Sequence, residues 1–321
     1  MTTKLTLTLA CTASDRTRPV LDGRVTVPGV DLLSLIGEPE DIFRRALRDR
    51  AFEITELSMG SHIVTTARGD SPYVGVPVFL SRAFRHSAIY IRTDRGIRSP
   101  ADLAGRTIGL PEYQQTAALW VRGILREHYG VDTRRIAWRT GGERVAITLP
   151  EGFDVQPLGM DLPRALAEGR IDALIAPRPP ACFRDGSAPV ARLYPDYRAE
   201  EIAWHKATGF FPIMHCLAVR KDVAESHPWL PLELFRAFAK ARALSLAELQ
   251  LVNVLRVSLP WIAAAYEEQA AIMGGDPWPY GFARNREEIA AMIRYAVADG
   301  LAAREIPPEA LFHPSTLQET A

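Results

Sequence analysis

The chain has 321 residues, of which 47% are hydrophobic and 24% charged, and its 38 basic side chains balance 38 acidic ones. This length predicts about two domains with well-packed cores, and the composition is typical of a globular rather than a disordered protein. The balanced charge argues against a basic face for nucleic acid or for an anionic membrane. We therefore expect a small-molecule ligand.

The N-terminal segment and the cysteines bear on the cellular compartment. Leu5, Leu7 and Leu9 alternate with threonines, which favours a strand over the apolar core of a signal peptide. No apolar run reaches the length of about 20 residues that a membrane span needs. The three cysteines lack metal-type spacing, which is typical of reduced thiols. We expect a cytoplasmic protein with no membrane and no nucleic-acid partner.

The first third of the chain alternates strand and helix patterns. Strands are predicted at 4–10, 30–36, 52–57 and 74–80, and helices at 39–50 and 61–68. Strands separated by helices of this length favour right-handed crossovers and a mostly parallel sheet. In such sheets ligands gather beyond the carboxyl ends of the strands.

A second α/β set follows, with a mainly helical C-terminal region after it. Further strands are predicted at 88–92, 107–110, 135–139, 171–176 and 211–220, and helices at 116–129, 162–168, 232–251, 258–273 and 287–301. This order predicts two α/β lobes with a cleft between them.

Three cations end the strand-like segment Pro77–His86, namely Arg82, Arg85 and His86. They are either a solvated strand end or a site for an anion, since arginine binds carboxylates through two parallel hydrogen bonds. Phe84 between them suggests a segment anchored against a core. We favour an anion site, so the ligand is expected to carry carboxylates or phosphates.

Two histidines lie near the predicted return strand 211–220. His215 has aromatic and aliphatic neighbours, and it is either a satisfied core residue or a proton donor facing the cleft. His205 lies in a more polar setting, which favours exposure on the surface.

Three loops after predicted strands carry further candidates. Glu112 and Tyr113 lie between a strand and a helix, where they either face the cleft or cap the helix. Arg178 stands between prolines, as a rigid cleft residue or a surface charge. The polar residues at the end of the third strand either supply hydrogen bonds or cap the next helix; they are Glu56, Ser58, Ser61 and His62. Glycine-rich phosphate loops, HExxH and GxSxG are absent from the sequence.

Segments spread over nearly the whole chain resemble the 4,5-dihydroxyphthalate decarboxylase family. They are PVFLSRAFRH (77–86), LAGRTIGLPEY (103–113), Thr116-Ala117, Trp120, Arg122-Gly123, Ile171-Asp172-Ala173, Pro177-Arg178, RLYPD (192–196), TGFFPIMH (208–215), Asp276-Pro277-Trp278, Tyr280-Gly281 and Asn285-Arg286. Members of this family look like type II periplasmic binding proteins adapted to catalysis.

The resemblance implies an α/β, two-lobed type II periplasmic-binding-protein-like fold with a cleft between the lobes. The chain would cross the hinge twice, near 90–96 and 205–213. Residues 1–92 and 206–321, with the C-terminal helices, would form lobe 1, and residues 93–205 would form lobe 2.

The resemblance also implies a carboxy-lyase of aromatic catabolism that converts 4,5-dihydroxyphthalate to 3,4-dihydroxybenzoate. Such a reaction protonates the ring carbon before CO2 leaves, and it needs a proton donor, carboxylate clamps and groups that stabilise a ring hydroxyl. We assign His215 as the donor, with His86 as its substitute. The remaining expected roles are carboxylate binding by Arg82, Arg85 and Arg178, contact with the ring hydroxyls by Glu112 and Tyr113, catalytic participation of Glu112, and substrate binding by Ser58.

No organic cofactor is required by this chemistry. A divalent metal that bridges the catechol oxygens is possible, and its conceivable ligands are His62, His86, Glu112 and His215.

The alternative function is a solute-binding protein for aromatic carboxylates that does not catalyse. A third, a ligand-sensing regulatory domain, would need an output module that the sequence does not show. A homo-oligomer is also left open.

Overall fold

The computed structural model describes residues 4–321 and forms two compact units. The first unit contains 4–82, 213–289 and 307–321, and the second contains 83–212 and 290–306. The sequence placed the boundaries near residues 92 and 205 and assigned the whole C-terminal region to the first lobe. In the structure the division falls after Arg82 and Pro212. The amide N–H of Ala83 donates to the Pro212 carbonyl at the start of the second unit.

The strands of the described chain closely follow the predicted positions. In order they are β1 (Leu5–Cys11), β2 (Val30–Ile36), β3 (Ile54–Ser58), β4 (Tyr73–Arg82), β5 (Ile89–Arg92), β6 (Thr107–Leu110), β7 (Ala137–Thr140), β8 (Val155–Pro157), β9 (Ala173–Ile175), β10 (Val190–Arg192) and β11 (Ile213–Arg220). The three-residue strands β8 and β10 were not predicted, because they are too short to show an alternating pattern.

The helices of the described chain include several that the sequence pattern did not reveal. In order they are α1 (Arg18–Leu21), α2 (Pro39–Asp49), α3 (Met59–Arg68), α4 (Thr116–Tyr129), α5 (Leu162–Ala167), α6 (Ala181–Arg184), α7 (Tyr197–Thr208), α8 (Lys221–Ser226), α9 (Leu230–Leu249), α10 (Ile262–Met273) and α11 (Phe282–Ala298). None of the helices within residues 4–321 is both long enough and apolar enough to cross a membrane.

The first unit is built on a five-stranded sheet with the order β2-β1-β3-β11-β4. Strands β1, β2 and β3 are parallel, whereas β11 runs antiparallel to both β3 and β4. The carboxyl ends of β1, β3 and β4 and the beginning of β11 therefore share one edge of the sheet, which we call the carboxyl edge of the first sheet.

Helix α2 covers one face of this sheet. Its buried residues Ile42, Phe43 and Ala46 recur at helical spacing and pack in a cluster with Ala10 and Leu57. Pro39 begins the helix, where a missing N–H costs nothing. The amphipathic pattern read from the sequence thus predicts both the helix and its buried side.

The pairing of β4 with β11 is irregular near the carboxyl edge. His215 lies opposite Ser81, but Leu217 lies opposite Val76, so β4 contains extra residues between these two pairs. Pro77 lies in this stretch, where its lack of an N–H is tolerated. Such bulges bend a strand and redirect its side chains, and this one lies beside His215.

The second unit is built on a six-stranded sheet with the order β10-β5-β9-β6-β7-β8. Strands β6, β7, β8 and β9 are parallel, and β5 is antiparallel to β9 and β10. The carboxyl ends of the parallel strands thus share an edge with the beginning of β5. We call it the carboxyl edge of the second sheet.

Helix α4 packs on the C-terminal part of α11 within the second unit. The ring of Tyr295 lies directly over Gly123, and the guanidinium of Arg122 donates from Nε to Asp299 at 2.7 Å. Both charged side chains are almost wholly buried. Residues 290–306 therefore complete the core of the second unit.

Candidate active site

The carboxyl edge of the first sheet brings His215 together with a buried carboxylate. Nδ1 of His215 lies 2.6 Å from Oε1 of Glu56, which points from the neighbouring strand β3. The Glu56 side chain is fully buried, while that of His215 keeps 18% of its surface exposed. The pair thus joins a protected carboxylate to an imidazole that solvent or a ligand can reach.

Thr12, the residue after β1, holds the other oxygen of Glu56. Its backbone N–H donates to Oε2 at 2.7 Å and its hydroxyl donates to the same oxygen at 2.6 Å. Since β1 and β3 are parallel neighbours, Thr12 and Glu56 meet where the sheet topology brings their strand ends together. The carboxylate is therefore fixed from two directions.

The pKa of Glu56 is lowered although the group is buried. Burial by itself raises this pKa, but the hydrogen bond and charge of His215 and the two hydrogen bonds from Thr12 lower it more strongly. Glu56 is therefore an ionised acceptor at neutral pH. An ionised acceptor requires Nδ1 of His215 to be the donor, which leaves Nε2 for chemistry outside the pair.

The surroundings of His215 fix the orientation of its ring. Phe43 of α2 packs edge-on against the imidazole with ring centroids 4.8 Å apart. Ser58 lies directly opposite His215 in the β3–β11 register, at the beginning of α3, and its side chain makes no capping hydrogen bond to that helix. The structure therefore brings the predicted residues His215 and Ser58 together.

Arg82 ends β4 at the same edge, but its guanidinium points into the protein. It donates to Glu288 at 3.2 Å, to the Pro279 carbonyl at 3.0 Å and to Asn285. Its side chain is 1% exposed. These contacts bind the C-terminal region to the sheet, so we leave Arg82 out of the proposed carboxylate site.

Glu112, in the second unit, is held by an arginine from a neighbouring loop. Nε and a terminal nitrogen of Arg144 donate to its two carboxylate oxygens at 2.9 and 2.7 Å. The loops after β6 and β7 meet here because the strands are parallel neighbours. The pair leaves Glu112 partly buried and bonded to Arg144, and its proposed catalytic role stays a prediction.

Tyr113, next in the chain, belongs to the core of the second unit. Its ring is 1% exposed and lies under the Arg122 guanidinium at 3.9 Å. Its backbone N–H donates to Glu143 at 2.9 Å. Burial of the ring leaves Tyr113 poorly suited to the predicted contact with a ring hydroxyl.

His86 differs from the sequence-based expectation in a similar way. The imidazole is 1% exposed and packs against the rings of Tyr129, Tyr194 and Trp204. Burial lowers its pKa to about 4, so the ring is neutral at pH 7. A neutral, enclosed histidine does not suit a proton donor, and we do not assign it that role.

Arg85 and Arg178 lie at the carboxyl edge of the second sheet. Arg85 precedes β5, and burial lowers its pKa to about 10 although the charge of Glu201 opposes that shift. Arg178 follows β9 and is exposed. The predicted carboxylate binding by these two arginines stays a prediction.

Two of the conceivable metal ligands, His62 and His215, lie in the first unit, and the other two, His86 and Glu112, lie in the second. His62 is buried in the first unit, where Nε2 lies 2.8 Å from the Leu311 carbonyl and burial lowers its pKa to about 4. Within residues 4–321, no three His, Cys, Asp or Glu side chains are grouped so as to hold a metal ion. We derive no step through a metal ion, and the metal dependence stays a prediction.

Sequence reasoning noted Glu56 only as a polar residue near a strand end and missed Thr12. The available signal was the position of Glu56 inside the strand predicted at 52–57. A carboxylate buried in a strand rarely lacks a partner, so this position indicates a hydrogen-bonded site. Thr12 carried no signal of its own, since its role follows from strand pairing.

Comparison with solved structures defines the class of fold. The chain matches the periplasmic aliphatic sulphonate binding protein SsuA from Escherichia coli with a TM-score of 0.54 at 14% identity, covering 98% of this chain and 99% of that one. At this identity the likeness concerns the fold alone. The protein has the predicted two-lobed type II periplasmic-binding-protein-like fold.

Comparison with curated protein sequences narrows the class to one family, although no family model matches the chain. It is 44% identical over 324 residues to 4,5-dihydroxyphthalate decarboxylase of Comamonas testosteroni, covering 98% of both chains. It is also 44% identical over 216 residues to the protein of that name from Pseudomonas putida, covering 64% of this chain and 84% of the relative. The chain belongs to the 4,5-dihydroxyphthalate decarboxylase family.

Proposed function

We propose that this protein is a carboxy-lyase that converts 4,5-dihydroxyphthalate to 3,4-dihydroxybenzoate and CO2 without oxidation. The observation that carries the proposal is the 44% identity to a decarboxylase of that name over 98% of both chains. The buried Glu56 carboxylate that orients His215 supplies a group suited to the chemistry.

His215 acts as the proton donor in this proposal. Its protonated ring donates Nδ1–H to Glu56 and transfers the Nε2 proton to the ring carbon that bears the departing carboxylate. The electron pair for the new C–H bond comes from the ring, assisted by the para hydroxyl, which develops dienone character. The C–C bond then breaks, its electrons restore the aromatic ring, and CO2 leaves.

The balance of protons requires His215 to be recharged in every turnover. One proton enters the product in place of CO2, while the para hydroxyl keeps its own proton and recovers the electron density that it lent to the ring. The exposed part of the His215 ring allows protons to return from solvent. Ionised Glu56 stabilises the imidazolium form and fixes the ring position.

The partners and compartment in this proposal follow from the same chemistry. The partner is a small aromatic carboxylate, and no organic cofactor takes part in the steps above. The reaction is placed in the cytoplasm, in aromatic catabolism, and the unpaired, buried state of Cys11, Cys182 and Cys216 supports a reducing compartment.

A solute-binding protein without catalysis is the competing function. The likeness to the sulphonate-binding protein is one of fold at 14% identity, and one fold serves many functions. It therefore does not favour binding alone. The Glu56–His215 pair favours proton transfer, which a transport receptor does not need.

Turnover in D2O tests the function and the direction of proton transfer together. Purified protein with 4,5-dihydroxyphthalate should release CO2 and form 3,4-dihydroxybenzoate with one deuterium at the vacated ring position. Parallel reactions with EDTA measure any metal requirement. Stoichiometric binding without CO2 release, for this substrate and for related hydroxybenzoates, would contradict the proposal.

The variant His215→Ala tests the proton donor. We expect kcat to fall by about 10²–10⁴-fold with a smaller change in KM, because the residue acts on the reacting carbon. His205→Ala is the matched control, since His205 bonds the Phe210 carbonyl at 2.8 Å through Nδ1 and has no role in the mechanism. An unchanged kcat in His215→Ala would remove this residue from the chemistry.

A further inference from the structure

Arg16 lies at the carboxyl edge of the first sheet, in the loop after β1. Its Nη2 donates to the Leu80 carbonyl of β4 at 3.2 Å, although β3 and β11 separate β1 from β4 in the sheet. Leu80 precedes Ser81, which lies opposite His215 on the neighbouring strand, and neighbouring strands are about 4.8 Å apart. The loop after β1 therefore extends past the ends of β3 and β11 and brings the Arg16 guanidinium beside His215.

The loop that carries Arg16 is fixed by side-chain hydrogen bonds. The hydroxyl of Thr17 donates to the Thr12 carbonyl at 2.8 Å and accepts a hydrogen bond from the Ser14 N–H at 2.8 Å. Thr12 also donates to the Glu56 carboxylate that orients the histidine. One short loop thus positions both the catalytic pair and an arginine.

The indole ring of Trp278 supports the Arg16 guanidinium from one side. Cζ of Arg16 lies 3.8 Å from the ring centroid. The indole is itself anchored, because Nε1 of Trp278 donates to the Phe79 carbonyl of β4 at 2.7 Å. Stacking on an aromatic ring fixes the plane of a guanidinium, so less rotamer entropy is lost when it binds an anion.

One donor of this guanidinium lacks an acceptor. Nη1 donates to Asp15 at 2.6 Å and Nη2 donates to Leu80, whereas the buried Nε has no hydrogen-bond partner among residues 4–321. A buried donor without a partner is costly, which points to an acceptor supplied by a ligand. The Arg16 side chain is 17% exposed and that of His215 is 18% exposed, so a ligand can reach both.

We propose that Arg16 binds the carboxylate that stays on the aromatic ring, and this inference rests on the proposed function for the class of ligand. The two carboxylates of 4,5-dihydroxyphthalate are on neighbouring carbons, so the retained group lies next to the carbon that His215 protonates. The departing carboxylate loses its charge as CO2 forms, and a strong ion pair with it would stabilise the substrate more than the transition state. The retained carboxylate keeps its charge throughout. Arg16 thus takes the role that the sequence assigned to Arg82.

A pair of ligands that differ in charge tests this carboxylate subsite. 3,4-Dihydroxybenzoate carries the retained carboxylate, and 3,4-dihydroxybenzamide replaces it with a neutral group of similar shape. In isothermal titration calorimetry the wild-type protein should bind the acid about tenfold or more tightly than the amide, because hydrogen bonds to charged groups contribute on that scale. Arg16→Gln should bind the acid and the amide with dissociation constants within about twofold of each other.

The ratio of the two dissociation constants separates recognition from a structural role. If Arg16 only held its loop in place, Arg16→Gln would weaken both ligands by the same factor and keep the wild-type ratio, which would overturn the proposal. Arg24→Gln is the matched control, since Arg24 pairs with Asp22 and Glu248 at the surface, and it should keep the full ratio. Arg16→Lys retains the charge and should keep part of the preference for the acid. A ratio near one in Arg16→Lys would contradict recognition by charge.

These measurements need no turnover, so the subsite and the proposed reaction can fail separately. Absence of CO2 release from 4,5-dihydroxyphthalate, together with a ratio that depends on Arg16, would refute the decarboxylation and leave the subsite in place. Turnover together with a wild-type ratio near one, or with an unchanged ratio in Arg16→Gln, would leave the decarboxylation in place and overturn the subsite.

Discussion

The Glu56 carboxylate receives hydrogen bonds from three donors that belong to two different segments. His215 approaches Oε1, and the N–H and hydroxyl of Thr12 approach Oε2. Enclosed carboxylates with this many donors remain ionised because each bond favours the charged form. Glu56 therefore positions the histidine and does not itself exchange protons at neutral pH.

Glu56→Gln is the sharpest test of this positioning role. The amide keeps the shape of the side chain but removes the charge that stabilises an imidazolium, so we expect kcat to fall by about 10²-fold or more. KM and the melting temperature should change much less. Stopped-flow and steady-state kinetics separate these parameters.

Glu53 offers the matched control for that variant. It lies in the same region of the chain, and its Oε2 accepts hydrogen bonds from the N–H and the hydroxyl of Thr8. Glu53→Gln should leave kcat within about twofold, since losses away from the reacting groups have little effect on the barrier. Similar losses of kcat in both variants would show that Glu56 acts only through stability.

The sequence identified candidate residues by their chemistry but did not show which way their side chains point. His215 was predicted because an apolar context and a family motif coincide there. Arg82 looked equally suited to bind a carboxylate, yet its side chain turns inward to Glu288 and Asn285, more than 200 positions later in the chain. A local sequence pattern does not reveal such a distant partner.

Helix α4 contains a glycine that its own propensity disfavours. A Cβ at Gly123 would lie 2.2 to 2.5 Å from ring atoms of Tyr295, so the glycine permits the helix to approach α11. Gly123→Ala should lower the free energy of unfolding by about 1–3 kcal/mol through overpacking, despite the gain in helix propensity. Urea unfolding monitored by circular dichroism measures the change.

Gly275→Ala serves as the control for this substitution. No atom lies within 4 Å of a Cβ at that position, and we expect a change within about 0.5 kcal/mol. A neutral Gly123→Ala would mean that α4 and α11 can separate without cost.

The loop after β7 contains a carboxyl group with an unusual titration. Burial raises the pKa of Glu143 to about 7 from an ordinary value of 4.5, with the Glu112 charge adding to the rise. The folded state therefore binds a proton that the unfolded state releases, so stability falls as pH rises from about 4.5 to about 7. Above that range the ionised group costs stability at every pH.

Glu143→Gln should remove this cost. With allowance for solvent screening we expect a gain of about 1 kcal/mol at pH 8, or about 2–4 °C in melting temperature, and no gain at pH 4. Scanning calorimetry at both pH values measures it, with Glu151→Gln on the exposed part of the same loop as the control. An equal gain at pH 4 and pH 8 would contradict the titration argument.

Elements with strong periodicity were predicted closely, whereas weakly patterned ones were not. Helix α4 was predicted at its observed bounds, because its apolar residues recur regularly. Helix α7 was missed: it buries only Glu201 and Trp204, too few residues for a visible stripe. Its Asp196 cap and the glycine after it were the available signals.

The whole molecule consists of two units that are both assembled from separate stretches of chain. Within the second unit, the buried Arg122–Asp299 pair joins stretches 177 positions apart. Asp299→Asn should lower the free energy of unfolding by about 3–5 kcal/mol, because it leaves a buried guanidinium without its counterion. Thermal unfolding followed by tryptophan fluorescence reports the loss.

An exposed ion pair between α4 and α11 provides the comparison. Arg294 bonds both oxygens of Glu127 at 2.9 Å, but the two side chains are 48% and 30% exposed. Glu127→Gln should therefore cost at most about 1 kcal/mol. Equal losses in the free energy of unfolding for Asp299→Asn and Glu127→Gln would show that burial of the ion pair does not set its contribution to stability.

The sequence predicted the α/β class, whereas the division of the C-terminal region between the two units left no sequence signal. Residues 287–301 read as one amphipathic helix, and a sequence pattern does not say which unit such a helix completes. Contacts such as that between Asp299 and Arg122 decide the matter, and they depend on the folded arrangement of each unit.

The late position of Asp299 has a consequence for biosynthesis. A ribosome releases the stretch 83–212 long before it has translated the segment 290–306 that completes this unit. During that interval Asp299, the counterion of Arg122 in the folded protein, has not yet been translated. Folding of the second unit is therefore expected to finish only after the segment 290–306 has left the ribosome.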